Sequence, residues 1–116
     1  MATASSGSGK GRKNAWDSIA ASATDSVLVA AVTGSKIRVH AFMLNQGDTT
    51  PSTITFNSKG AGAGVAIFPA LKYAANGGTT STEGTGWFET NRGEALTVTT
   101  GAGSTSGVIV IYSIVP

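Results

Sequence analysis

The sequence predicts an all-β domain, a single eight-stranded β-sandwich or jelly roll preceded by an extended N-terminal arm. Two observations carry this prediction. From Trp16 onward, short segments of β-branched and apolar residues alternate with clusters of Gly, Thr, Ser, Asn and Asp, which is the pattern of strands and turns. No window carries the 3.6-residue period of an amphipathic helix. Strands that recur every ~8–12 residues favour a sandwich or jelly roll.

The arm, residues 1–15, has no large apolar side chain after Met1 and is therefore predicted to stay outside the core. Lys10, Arg12 and Lys13 give it three positive charges, whereas the rest of the chain has five basic and six acidic residues. A protein partner with acidic groups, a solvated tail and nucleic acid are all compatible with such an arm. We favour the protein partner, because three charges without interleaved aromatic residues make a weak nucleic-acid site. Trp16 is expected to anchor the start of the body, residues 16–116.

The body is divided by turn residues into strands whose side chains alternate. Ile54 and Phe56 alternate with threonines, as do Leu96 and Val98, so each of these strands has one core face and one Thr-rich face. Gly34 and Gly93 suit turns that need a positive φ. The eight predicted strands span residues 16–22, 27–32, 36–44, 53–58, 65–71, 86–90, 94–100 and 107–115.

The last predicted strand is apolar on both faces. Val108, Val110, Tyr112 and Ile114 lie on one side, and the other side carries Ile109, Ile111 and Val115. The outer face of a two-sheet sandwich is normally wet, so the second apolar face needs a cover. A loop or arm of the same chain and a second subunit are both compatible with this pattern.

Signals for chemistry are weak, and we expect a non-enzymatic protein without catalytic residues, cofactor or metal. His40 is the single histidine, and nothing in the sequence nominates a nucleophile or an orienting partner for it. The chain has no cysteine, which removes thiolate metal sites and thiol catalysis. Its glycine-rich segments lack the strand and helix that flank a phosphate-binding loop. The six carboxylates are scattered: Asp17, Asp25, Asp48, Glu83, Glu89 and Glu94.

Composition bounds the class of protein further. Charged residues make up 12% of the chain, about half the usual 25%, and this shortage indicates that part of the surface is covered by protein. A hydrophobic content of 41% excludes intrinsic disorder. The polar, basic start is unlike a secretory signal, and no apolar run approaches the ~20 residues of a membrane span.

Three segments carry a resemblance to a known class. The strand Lys36-Ile37-Arg38-Val39, residues 53–58 (Thr-Ile-Thr-Phe-Asn-Ser) and above all residues 86–98 (Gly-Trp-Phe-Glu-Thr-Asn-Arg-Gly-Glu-Ala-Leu-Thr-Val) resemble small β-sandwich virion proteins of tailed bacteriophages. The resemblance spans about residues 26–116. It implies a jelly-roll-like module that serves as a head decoration (cement) protein.

From this resemblance and the two contact features above, we expect a homotrimer on the exterior of the phage head that binds the major capsid protein. Phe88, Ile109, Ile111 and Val115 are the expected subunit contacts, whereas Trp87 is expected in the core or at its edge. The alternative is a tail, fibre or neck module that recognises a receptor or glycan, with loops around 45–52 and 74–85 as its contact points.

Overall fold

The computed structural model describes residues 3–6, 11–46, 51–103 and 105–116, and these residues form strands without helices. Because the described residues contain no helix, none of them forms a helix that could cross a membrane. The strands are β1 (Thr3–Ser6), β2 (Lys13–Ile19), β3 (Ser26–Val29), β4 (Lys36–Gln46), β5 (Ser52–Lys59), β6 (Val65–Ala66), β7 (Leu71–Tyr73), β8 (Gly78–Thr80), β9 (Phe88–Glu89), β10 (Ala95–Thr100) and β11 (Ser106–Val115).

The strands form two antiparallel sheets, which confirms the predicted all-β class. Sheet I has the order β1-β2-β11-β4-β8, with β9 also paired to β4. Sheet II has the order β3-β10-β5-β6, with β7 also paired to β5. Most neighbours within a sheet are distant in sequence, so the chain passes repeatedly from one sheet to the other.

One core lies between the sheets and is filled by the inward side chains of both. Ile37, Val39 and Val110 from sheet I and Ile54 and Val98 from sheet II have no solvent exposure. Aromatic rings bridge the two layers. Phe42 of β4 lies 5.8 Å from Phe56 of β5, measured between ring centroids, and Phe88 of β9 lies 4.9 Å from the same ring. Contacts of this kind add to the stabilisation from burial.

The predicted boundary between arm and body falls inside a strand. β2 begins at Lys13, and Ala15, assigned to the arm from the sequence, is fully buried. The short strand β1 pairs with β2, with Thr3 opposite Trp16. Backbone hydrogen bonds need no large side chain, so a Ser- and Ala-rich segment can join a sheet that its composition does not reveal.

Eleven strands occur among the described residues, where eight were predicted. The predicted strand 65–71 is divided into β6 and β7 around Pro69, whose missing N–H cannot join a ladder. β8 arises in a glycine-rich stretch predicted as loop. A Cβ on Gly78 would lie 2.6 Å from the carbonyl oxygen of Leu44, so glycine permits this close approach to β4.

Candidate interaction surfaces

The outer face of sheet I carries an exposed row of large apolar side chains. Ile109 of β11 lies between Trp16 of β2 and Met43 of β4 in the strand register. Trp16 is 50% exposed and Met43 is 49% exposed. In the next outward row, Ile111 lies opposite Ala41. We call these five residues the apolar ladder.

Polar rows bound the apolar ladder at both ends. Toward the start of β11, Gly107 lies opposite Ser18 and Asn45. Toward its end, Ser113 lies opposite Arg38, which pairs with Glu89. The ladder therefore has an uncharged centre and polar margins. Shallow depressions of about 240 and 230 Å³ adjoin it, the first toward Asn45 and Gly107 and the second toward Thr80 and Ser81. This is the anatomy of a protein interface, with an apolar centre inside a polar rim.

A second apolar surface lies at the open side of the sandwich. β3 is the outer strand of sheet II, and beside it lies a groove of about 540 Å³ that extends to β2 and β11. Val27 and Val32 in its wall are 47% and 40% exposed. β3 contains no charged residue or proline, the features that commonly protect an edge strand from pairing with another chain. We call this surface the β3 groove.

The expected subunit contacts are distributed over three places. Ile109 and Ile111 lie on the apolar ladder. Val115 lies opposite Lys36, beyond the polar row of Ser113, and so is separate from the ladder. Phe88 is only 9% exposed and packs on Phe42, Phe56 and Phe68 in the core.

Of the neighbouring aromatics, Phe88 lies in the core and Trp87 lies at its edge, against Phe42. Phe88 belongs to β9, whose inner face joins the core, so the expectation that Phe88 makes a subunit contact is corrected. Trp87 precedes the strand and is 46% exposed. The sequence shows that adjacent residues of a strand point to opposite faces. Which of the two faces the core depends on the pairing of Val39 with Phe88.

The basic residues of the predicted arm do not form a common patch. Lys10 lies outside the described residues. The Arg12 guanidinium lies 3.6 Å from Glu83 Oε2, and its Nη1 donates to the carbonyl oxygen of Gly84 at 3.5 Å. Lys13 is exposed and lines the β3 groove together with Asp17. Arg12 thus has an intramolecular partner, and Lys13 lies at a different surface.

His40 is a structural side chain on the outer side of sheet I. It is 5% exposed and occupies the irregular position between the pairs Ala41–Ile111 and Val39–Tyr112, a β-bulge. Its Nδ1 lies 2.9 Å from the Gly84 carbonyl oxygen, which can only accept, so Nδ1 carries the proton. Its Nε2 is hydrogen-bonded to the Ser113 hydroxyl at 2.7 Å. These partners attach the loop around Gly84 to β11, and neither was visible in the sequence.

The Asp25 carboxylate is likewise engaged in structural contacts. Asp25 accepts hydrogen bonds from Asn57 and Thr97, each at 3.1 Å, and from the Gly64 backbone N–H at 3.0 Å. The Gly64 bond lowers the pKa of Asp25 below its ordinary value, against the opposing effect of burial. Within the described part of the chain, no three His, Asp or Glu residues are grouped so as to hold a metal ion.

Comparison with known proteins gives a likeness in structure alone. No protein-family model and no curated protein matches the chain. A solved structure of Bacillus endospore appendages, which form a novel family of disulfide-linked pili, is similar with a TM-score of 0.50. The identity is 17%, and the match covers 100% of this chain and 92% of that chain. At this identity the likeness concerns the fold.

Proposed function

We propose that this protein is a non-enzymatic structural subunit of a phage virion, a capsid decoration (cement) protein that self-associates on the outside of the head. The observation that carries the proposal is the apolar ladder, whose half-exposed Trp16 and Met43 stand on the open face of sheet I. Monomeric proteins rarely leave large contiguous apolar patches in water. The resemblance of residues 86–98 to tailed-phage virion proteins supplies the virion part of the proposal.

A jelly roll is the finer description of the fold that fits this role. If the short strands β1, β6 and β8 are set aside, the eight remaining strands form two sheets, β2-β11-β4-β9 and β3-β10-β5-β7. Numbered from one to eight, these orders are 1-8-3-6 and 2-7-4-5, which supports the proposal of a jelly roll with two Greek keys. The fold itself does not specify a function.

A trimer is our proposed assembly, because a ring needs two different surfaces on each subunit. A twofold dimer joins one patch to its own copy, whereas a threefold ring joins the patch of one subunit to another surface of the next. The apolar ladder and the β3 groove supply two such surfaces, and each exposes large apolar side chains. Disulfide bonds cannot join the subunits, because the chain has no cysteine. In this respect the proposed assembly differs from the similar disulfide-linked pili.

The N-terminal segment is our proposed contact with the major capsid protein. Lys10 would pair with acidic groups of the shell, whereas Arg12 is held by Glu83 and Lys13 lines the β3 groove. A protein that binds only to the assembled shell stabilises the shell by mass action. Many such sites, each of modest affinity, strengthen the shell together.

Native mass spectrometry over a range of concentrations tests self-association. We expect trimers for the wild type and monomers for a Trp16→Ser, Met43→Ser ladder variant and for a Val27→Lys groove variant. Val65→Ser is the matched control, because Val65 is 65% exposed but lies on β6, outside both surfaces. A wild type that stays monomeric, or variants that assemble like the control, would contradict the proposal.

Mixing the two variants distinguishes a ring from a face-to-face dimer. The groove variant retains an intact ladder and the ladder variant retains an intact groove, so a ring predicts that the mixture forms one restored contact and hence a heterodimer. If ladders instead pair with ladders, the groove variant assembles by itself and mixing changes nothing.

Shell attachment is tested separately with heads that lack the protein. Deleting residues 2–10 removes the short strand β1 but stops before β2, so it should leave the core between the sheets intact and weaken decoration. Equal decoration by the truncated protein would contradict a role for this segment. Immunogold labelling of native particles that marks the tail rather than the head would favour the tail or fibre alternative.

A further inference from the structure

A pocket of about 320 Å³ lies at the polar end of the outer face of sheet I, beside β9. It is lined by Arg38, Thr85, Gly86, Trp87, Phe88 and Glu89. Its volume is at the lower end of the ~300–1,000 Å³ range of small-molecule pockets. That size suits one sugar ring better than a long chain or a large cofactor.

Trp87 is both exposed and held in place. Its indole Nε1 donates to the Thr82 carbonyl oxygen at 2.8 Å, and its backbone N–H donates to the Val39 carbonyl oxygen at 2.8 Å. Its ring lies edge-on to Phe42, with 5.9 Å between centroids. A side chain 46% exposed would normally lose rotamer freedom on binding, but these contacts have already fixed the ring. Trp87 is therefore a rigid aromatic platform.

A charged pair lies beside that platform. Arg38 Nη2 is 3.4 Å from Glu89 Oε1, and Lys36 Nζ is 3.6 Å from Glu89 Oε2. The three side chains are 34–39% exposed. A guanidinium has five N–H donors and a carboxylate has about four acceptor positions, so both groups retain capacity toward a ligand. Because Glu89 offsets much of the positive charge, hydroxyl groups suit the site better than an anion.

The absence of a side chain at Gly86 allows the loop that carries Trp87 to lie close to Arg38. A Cβ at this position would lie 2.9 Å from Arg38 Cδ and 3.1 Å from Cγ. Any larger residue would thus displace the Arg38 stem from the loop that carries Trp87.

We propose that this pocket binds a neutral saccharide, with one sugar ring stacked on Trp87 and vicinal hydroxyls hydrogen-bonded to Arg38 and Glu89. An aromatic ring with a few convergent polar groups is the common composition of such sites. The activity is separate from self-association and shell attachment, since it uses neither Trp16 and Met43 nor the N-terminal segment.

The test is a titration followed through the Trp87 indole N–H resonance in ¹⁵N-labelled protein. The probes are the methyl glycosides of glucose, galactose, mannose and N-acetylglucosamine and the corresponding disaccharides. We expect at least one probe to shift the Trp87 resonance but not that of Trp16, with a dissociation constant of about 1 mM for so small a ligand. No shift with any probe up to about 20 mM, some twentyfold above that value, would overturn the proposal.

Variants separate a binding role from a structural one. Because the Trp87 variants lack the indole reporter, their binding is followed through the backbone amide resonances of Arg38 and Glu89, which are calibrated on the wild type. Trp87→Ala should abolish binding, Trp87→Phe should retain it with weaker affinity, and Gly86→Ala and Glu89→Gln should each weaken it about tenfold. Trp16→Phe is the matched control and should bind like the wild type. Thermal melts identify any variant that fails to fold. Binding that survives Trp87→Ala would overturn the proposed site. If glucuronic acid were the one sugar bound, and added salt abolished its binding, the ligand would be an anion held by Arg38 and Lys36 rather than a neutral saccharide.

Discussion

The carboxylate of Asp25 accepts a hydrogen bond from the backbone N–H of Gly64 at 3.0 Å. This contact joins the residue before β3 to the end of the loop of alternating glycine and alanine at residues 60–64, 39 positions later in the chain. Asn57 of β5 and Thr97 of β10 donate to the same carboxylate, so the loop is fixed to two strands of sheet II through the residue that precedes β3.

Acid should weaken the fold through Asp25. The hydrogen bond from Gly64, followed by those from Thr97 and Asn57 and by the charge of Lys59, holds the pKa of Asp25 below its ordinary value of 3.8. A carboxyl with a lowered folded-state pKa stabilises the fold above its unfolded-state pKa, and this stabilisation disappears as the pH falls through the folded-state pKa. We expect a drop in melting temperature below pH ~4 that is smaller in Asp25→Asn.

The matched control for this measurement is Glu83→Gln, which removes one negative charge from an exposed side chain. At neutral pH, Asp25→Asn should lower the free energy of unfolding by about 1–2 kcal/mol, because its amide N–H₂ would face other donors. An acid transition as large in Asp25→Asn as in the wild type would show that other groups cause it.

Alanine at Gly64 should destabilise the protein, whereas alanine at Gly62 in the same loop should not. A Cβ at Gly64 would overlap Asp25 Oδ1 and lie 2.9 Å from Asn57 Cβ, whereas one at Gly62 meets nothing within 4 Å. We expect a loss of about 1–3 kcal/mol for Gly64→Ala and little change or a gain of about 0.5 kcal/mol for Gly62→Ala in urea denaturation. Equal effects at the two positions would contradict the close contact.

Truncation should distinguish the two neighbouring aromatics. Phe88→Ala removes a ring that contacts Phe56 and Phe68, with centroids 4.9 Å away in both cases, and should cost about 3–5 kcal/mol. Trp87→Ala removes a half-exposed ring and should cost about 1 kcal/mol. Chemical denaturation of both variants measures the difference. A larger loss of unfolding free energy in Trp87→Ala than in Phe88→Ala would mean that Trp87, and not Phe88, lies in the core.

Replacing His40 by Phe should loosen the loop around Gly84. The change keeps an aromatic ring but leaves the Gly84 carbonyl and the Ser113 hydroxyl without their partner. We expect a loss of about 1–3 kcal/mol and faster hydrogen exchange of the Gly84 amide, which donates to the His40 carbonyl oxygen at 3.1 Å. Ser113→Ala serves as the control, because it removes one bond and keeps the bond to Gly84. Unchanged exchange in His40→Phe would contradict this role.

The alternation of apolar and polar residues in the sequence was sufficient to predict which side chains of the alternating strands are buried. Ile54 and Phe56 are buried as predicted, and so are Leu96 and Val98. The last strand was predicted to be apolar on both faces, and Ile109 and Ile111 do lie on the face opposite the core. These predictions succeeded because a strand displays its two faces in alternate residues. The cover over the outer face of the last strand stays a prediction.

The candidate surfaces were only partly predictable. Trp16 was expected as an anchor and proved to be half-exposed, because its neighbour Ala15 faces the core instead. Met43 was not singled out, since a single exposed methionine has no signature until Ile109 is placed beside it. The pocket at Trp87 depends on Arg38, which lies 51 positions before Glu89.

The sequence by itself therefore determined the all-β class and the alternation within strands, which are local properties of neighbouring residues. The tertiary structure decided the strand order, the partners of His40 and Asp25, and which of Trp87 and Phe88 entered the core. Those outcomes depend on pairing between segments far apart in the chain, where register fixes the face that each side chain occupies. Short strands such as β1 and β8 join a sheet through backbone hydrogen bonds that composition does not encode.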